Sequence, residues 1–140
     1  MKTISREQAI EQLLHWPRWT RPSEKWLRKT LVRTGAAGPN DVLTTNESII
    51  TDASVPQHER PFLALLRRVA RIAGAEVDVR KFTALCGVGT ISKRFAFVRI
   101  PRAPGDPEDF VHVVIVARLD CENRTVRDML ETRLGAAGES

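Results

Sequence analysis

This 140-residue chain predicts an α+β fold of about five helices with a β-hairpin or small antiparallel sheet. Three observations carry that expectation. Apolar residues recur at helical spacing in segments bounded by Ser, Pro and Gly signals. Two β-branched runs, near 94–100 and 110–119, flank the loop "PRAPGDPED". The first two helical segments follow one another in helix-turn-helix-like order.

The elements follow in order along the chain. Ser5 and Gln8 make a capping-box pattern, and Ala9, Ile10, Leu13, Leu14 and Trp16 then share one side of a helix that stops before Pro17. "PRWTRP" is a turn pinned by two prolines. Ser23 caps a second helix over 24–33, with Gly35 just beyond it. On its wheel Trp26, Leu27, Thr30 and Leu31 form an inward arc, opposite Lys25, Arg28, Lys29 and Arg33. Burying such an indole and two leucines contributes about 1.5–3 kcal/mol each, which holds the helix while its cations stay wet. "TGAAGPN" breaks the pattern, and the β-prone pieces 42–44 and 48–51 read as a weak hairpin or irregular connection. Pro61 opens a helix to residue 73 with a broad apolar arc, closed by Gly74. Val79, Phe82 and Leu85 suggest a shorter helix over 77–86 that stops at Gly87. The strand at 110–119 is apolar on both sides, so both must be covered, by strands from 41–51, by helices or by a dimer partner. Asn123 caps a last helix to residue 134, with Val126, Met129 and Leu130 inward.

One domain is expected over 1–140. It divides into a basic N-terminal helix pair (1–34), a linker (35–57), core helices with the hairpin (58–134) and a frayed tail (135–140). The hydrophobic share of 42% and charged share of 28% are ordinary for a globular protein, and aliphatic packing must dominate because aromatics are only 6%. Cys86 and Cys121 are too few for a disulfide framework and read as reduced thiols. No apolar run is long enough for a signal peptide or a membrane span, so a cytoplasmic protein is expected, and the two glycosylation sequons read as coincidence.

The net charge is +5, but it comes in blocks: +5 over 1–34, −3 over 35–61, +7 over 62–102 and −4 over 103–140. If the two basic blocks share a face, that face attracts a polyanion or an acidic protein. The first candidate site is therefore the N-terminal pair, with Arg18, Arg21, Lys25, Arg28, Lys29 and Arg33 placed to reach phosphates or guanine edges. Trp19 reads as packed, or as a base-stacking residue if exposed. The second candidate is Arg67, Arg68 and Arg71 with Lys93, Arg94, Arg99 and Arg102, arranged as a wing would be. Its competing reading pairs Arg67 and Arg71 with acids such as Glu76 or Asp78.

Other chemistry finds little support. A hydrolase built on Cys86, His112 and Asp109 or Asp120 has permissible chain order, but Cys86 falls where a helix end disfavours thiolate. The scattered His15, His58 and His112 predict no metal site. "CGVGTISK" lacks the second glycine–lysine step of a phosphate loop and reads as a flexible connector. No cofactor is implied. The pattern thus points to a non-enzymatic nucleic-acid-binding protein, a small helix-turn-helix-like regulator acting as a dimer through the hairpin. The alternative is an interaction or inhibitor protein that docks its basic surface on an acidic partner.

Overall fold

A computed structural model of the chain describes residues 4–101 and 112–121. Three α-helices, a short 3-10 turn at Asp52–Ser54 and a four-stranded sheet make up this part, in the order α1 (Arg6–Leu14), α2 (Glu24–Arg33), β1 (Leu43–Ile49), α3 (Arg60–Ala73), β2 (Glu76–Cys86), β3 (Gly89–Pro101) and β4 (His112–Arg118). The strands run as an antiparallel meander, β1-β2-β3-β4. The α+β class stands, but the described residues hold three α-helices and not the about five expected of the chain. The segment expected as a helix at 77–86 is strand β2. The helix at 123–134, the 135–140 tail and most of the "PRAPGDPED" loop lie outside the described residues.

Among the described residues, helices cover one half of each face of the sheet. On one face α1 and α3 pack together above Val79, Ala96, Val98, Ile100, Ile115 and Ala117. On the other, α2 sets Leu27 against Phe82, Ala84 and Phe95, with Trp19 packed beside them. The buried parity of β2 therefore switches, from Val79 to Phe82, Ala84 and Cys86. That switch leaves a three-residue step, which imitates helical spacing and explains the mistaken helix. Leu85, assigned to its inner side, is exposed. "CGVG" is no loose connector either. Gly87 and Val88 close a two-residue hairpin between Cys86 and Gly89, and Gly87 supplies the φ of +59° that the turn needs. Residues 43–49 likewise form one edge strand along β2 rather than a weak hairpin.

The segment between α1 and α2 decides the architecture. Trp19 N–H donates to Val116 O at 2.8 Å, and Arg118 N–H donates to Pro17 O at 2.8 Å. Arg18 stands opposite Ala117 as an isolated antiparallel bridge. This strap runs along the outer edge of β4 and passes the chain from one face of the sheet to the other. The N-terminal helices consequently lie on opposite faces, and the helix-turn-helix-like pairing does not form. Two prolines suit this extended path, because they hold their neighbours out of the helical region.

Local signals account for the helices themselves. In α1 the Ser5 hydroxyl accepts from Gln8 N–H at 3.1 Å while the Gln8 carboxamide accepts from Ser5 N–H at 2.8 Å. Helix α2 begins at Ser23, whose hydroxyl accepts from Trp26 N–H. Helix α3 carries Pro61 in its first turn, ends at a left-handed Gly74 and buries seven residues from Phe62 to Ala73. Its start is fastened to the sheet by Glu59, only 1% exposed, which accepts from Arg94 Nη2 at 2.8 Å and Nε at 3.2 Å.

Candidate nucleic-acid interface

Of the thirteen cations expected to form one basic surface, Arg102 lies outside the described residues and the other twelve fall into separate places. Because α2 and α3 cover opposite faces of the sheet, the two basic blocks do not share a side. Arg67 is bound bidentately by Asp52, with both contacts at 2.7 Å, and this hydrogen-bonded pairing raises its pKa. It thus pairs with an acid, though with neither Glu76 nor Asp78. Arg68 and Arg71 are exposed on α3, far from α2. Arg94 serves the buried Glu59, whose hydrogen bonds raise the Arg94 pKa, so it is a structural residue and not a wing cation.

Arg18, Lys93 and the previously unassigned Arg118 converge with Trp19 and Asp120 around an open cleft of about 310 Å³ beside the strap. Asp120 accepts from Lys93 Nζ at 3.0 Å and from Arg118 Nε at 3.1 Å. Burial pushes the Asp120 carboxyl up, but the hydrogen bonds from Lys93 and Arg118 outweigh it and hold the pKa below the ordinary value. A depressed carboxylate adds stability above its unfolded pKa of about 3.9 and loses it as the pH falls through the lower folded value. Thermal melts from neutral pH into acid should therefore show Asp120→Asn losing less melting temperature below about pH 4 than the wild type. Equal losses would mean that the Asp120 contacts do not matter to stability.

The remaining group lies on α2. Leu27 and Leu31 form its buried row, and Lys25, Lys29 and Arg33 form an exposed row at four-residue spacing, about 12 Å from end to end. Among the described residues these three make no ion pair. Arg28 instead turns back to the chain, donating to the carbonyls of Pro39 and Asp41. Arg21 pairs with Glu47 and lies 5.5 Å from the Phe82 ring.

Trp26 does not face inward as the wheel predicts: it is 51% exposed. The buried row of α2 is Leu27 and Leu31, with Leu27 packed on Phe82, Ala84 and Phe95, and Trp26 lies off that row. Trp26, one helical step to the side, is left beside Lys29 and Arg33. The other two tryptophans do pack. Trp16 meets Phe62 edge-on at 5.8 Å, and Trp19 stacks on Phe95 at 4.6 Å. The sequence signal for Trp26 was its offset from the Leu27–Leu31 axis toward the cations.

The structure does not bring Cys86 and His112 together. Cys86 is buried opposite Gly89 at one end of β3, while His112 pairs with Pro101 at the other end. Asp109 lies outside the described residues. No group of three or more His, Cys, Asp or Glu among the described residues is placed to hold a metal, and no described helix is long and apolar enough to cross a membrane. Comparison with protein-family models, curated proteins and solved structures found no match in any of the three.

Proposed function

We propose that the protein binds nucleic acid through the outer row of α2, using Lys25, Lys29 and Arg33 for phosphates and Trp26 for an apolar or stacking contact. The observation that supports this reading is an exposed indole among three cations with no carboxylate partner in the described structure. Ammonium and guanidinium groups left in water cost little to bring to a phosphate, and their field favours encounter with a polyanion. The helix presents them without a helix-turn-helix partner, so the reading concerns affinity for the backbone rather than a sequence code.

Charge reversal tests it. Lys25→Glu/Lys29→Glu should weaken retention of an oligonucleotide at low salt by at least about a hundredfold, since two attractions become repulsions. Its melting temperature should match the wild type, because both side chains are exposed. Trp26 fluorescence gives a second readout: binding should change the emission of the wild type and not that of Trp26→Phe. Retention of an acidic peptide, with no retention of any oligonucleotide, would transfer the same surface to the alternative, an acidic protein partner.

A further inference from the structure

On the sheet face that α2 half-covers, no described helix lies over the other half, and its side chains are unusual. Phe97 belongs to neither core cluster. The Arg80 guanidinium lies 4.3 Å from the Phe97 ring centroid and that of Arg99 lies 5.8 Å away. Around them Ile49 is 69% exposed and Val114 is 44% exposed. Strand alternation puts Ile49, Arg80, Phe97, Arg99 and Val114 on the same side as Phe82 and Phe95, which lie under α2 and Trp19. Arg80 has one carboxylate near it, Asp78 at 3.6 Å, and its Nε is buried without an acceptor in the described structure. The Arg99 side makes no ion pair among the described residues.

We infer that this half-face is a stacking platform for single-stranded nucleic acid, continuing the surface that begins on α2. The inference rests on the reading of α2 given above and deepens it by naming the form of nucleic acid. Its physical basis is what each form can offer to a flat face. A duplex presents phosphates and groove edges, so an aromatic ring on a sheet face gains little from it. A single strand presents base faces, which stack on aromatic rings and on guanidinium planes alike. Here a ring carries two guanidiniums, and side chains two apart on one strand stand about 7 Å apart. Arg21, over Phe82 at the start of α2, bridges the platform to the helix. A base laid on the Arg80–Phe97 pair keeps a neighbouring phosphate within the field of Arg99.

Two variants test the platform without emptying the core. Phe97→Leu keeps apolar bulk and removes the π-face, and Arg99→Glu reverses an exposed charge. Binding of a labelled oligothymidylate and of a duplex of equal length is measured by fluorescence anisotropy at low salt, after melting curves show both variants folded. The expected result is single-strand affinity lower by about tenfold in each variant, with duplex affinity unchanged in Phe97→Leu. If Phe97→Leu binds the single strand like the wild type, the platform is wrong. If Lys25→Glu/Lys29→Glu still weakens binding in that case, the α2 reading survives. If the wild type retains neither probe, both readings fall.

Discussion

Trp16→Ala is expected to lower the unfolding free energy by about 3–5 kcal/mol, the range for emptying a buried large aromatic site. Trp16 is 2% exposed, sits edge-on to Phe62 and belongs to the core that α1 and α3 form on the sheet. Its indole Nε1–H also donates to Arg118 O at 3.1 Å, so the same side chain fastens the start of the strap to the edge of β4. Truncation removes both, and a small domain with about 5–15 kcal/mol in hand is left marginal. Trp16→Phe separates the two effects, because it keeps most of the ring volume and loses the donor; its cost should be nearer 1–2 kcal/mol. Urea unfolding at neutral pH measures each difference. A cost for Trp16→Ala below about 1 kcal/mol would show that the site collapses freely and that the strap is held elsewhere.

Arg94→Met should cost a similar amount, about 3–5 kcal/mol, for a different reason. Methionine fills much of the arginine volume, so the loss is electrostatic. It leaves the Glu59 carboxylate, 1% exposed, without its two charge-assisted hydrogen bonds. His58 Nε2 lies 3.5 Å from Glu59 but is itself mostly in solvent, so it is a poor substitute. The double variant Glu59→Leu/Arg94→Met removes the stranded charge and should recover much of the stability, since a well-packed apolar pair often equals a buried ion pair. A double variant no better than Arg94→Met alone would mean that the loss came from packing.

The parts legible in the sequence are those whose signal is local. The capping box at Ser5, the Ser23 cap, Pro61 with Gly74, and the β-branched runs each name their element without outside help. What stayed hidden depends on the partner across the sheet. β2 reads as a helix because its buried side changes between Val79 and Phe82, and that change exists only because α3 and α2 sit on opposite faces at opposite ends. The strap reads as a turn because no sequence pattern shows that Pro17 and Trp19 bond to the edge of β4.

The site divides in the same way. Lys25, Lys29 and Arg33 are exposed where the wheel puts them, since α2's apolar row is set by its own sequence. The sequence offers Arg94 as a surface cation and Arg67 as either a surface cation or a partner of Glu76 or Asp78, yet their carboxylates come from Glu59 and Asp52, thirty-five and fifteen residues distant. The general rule that indoles bury turns Trp26 inward, but the row of α2 that packs is Leu27 and Leu31, and Trp26 lies off it. Arg80, Phe97 and Arg99 come together through β2–β3 register, which no periodicity reveals.

Salt dependence of oligonucleotide binding tests the central claim most directly, with wild type compared against Lys25→Ala/Lys29→Ala/Arg33→Ala. Each phosphate contact steepens the plot of log affinity against log salt by about 0.7–0.9. The account predicts a slope shallower by roughly 2–3 in the triple variant, with an unchanged melting temperature. The same slope in both proteins would contradict it.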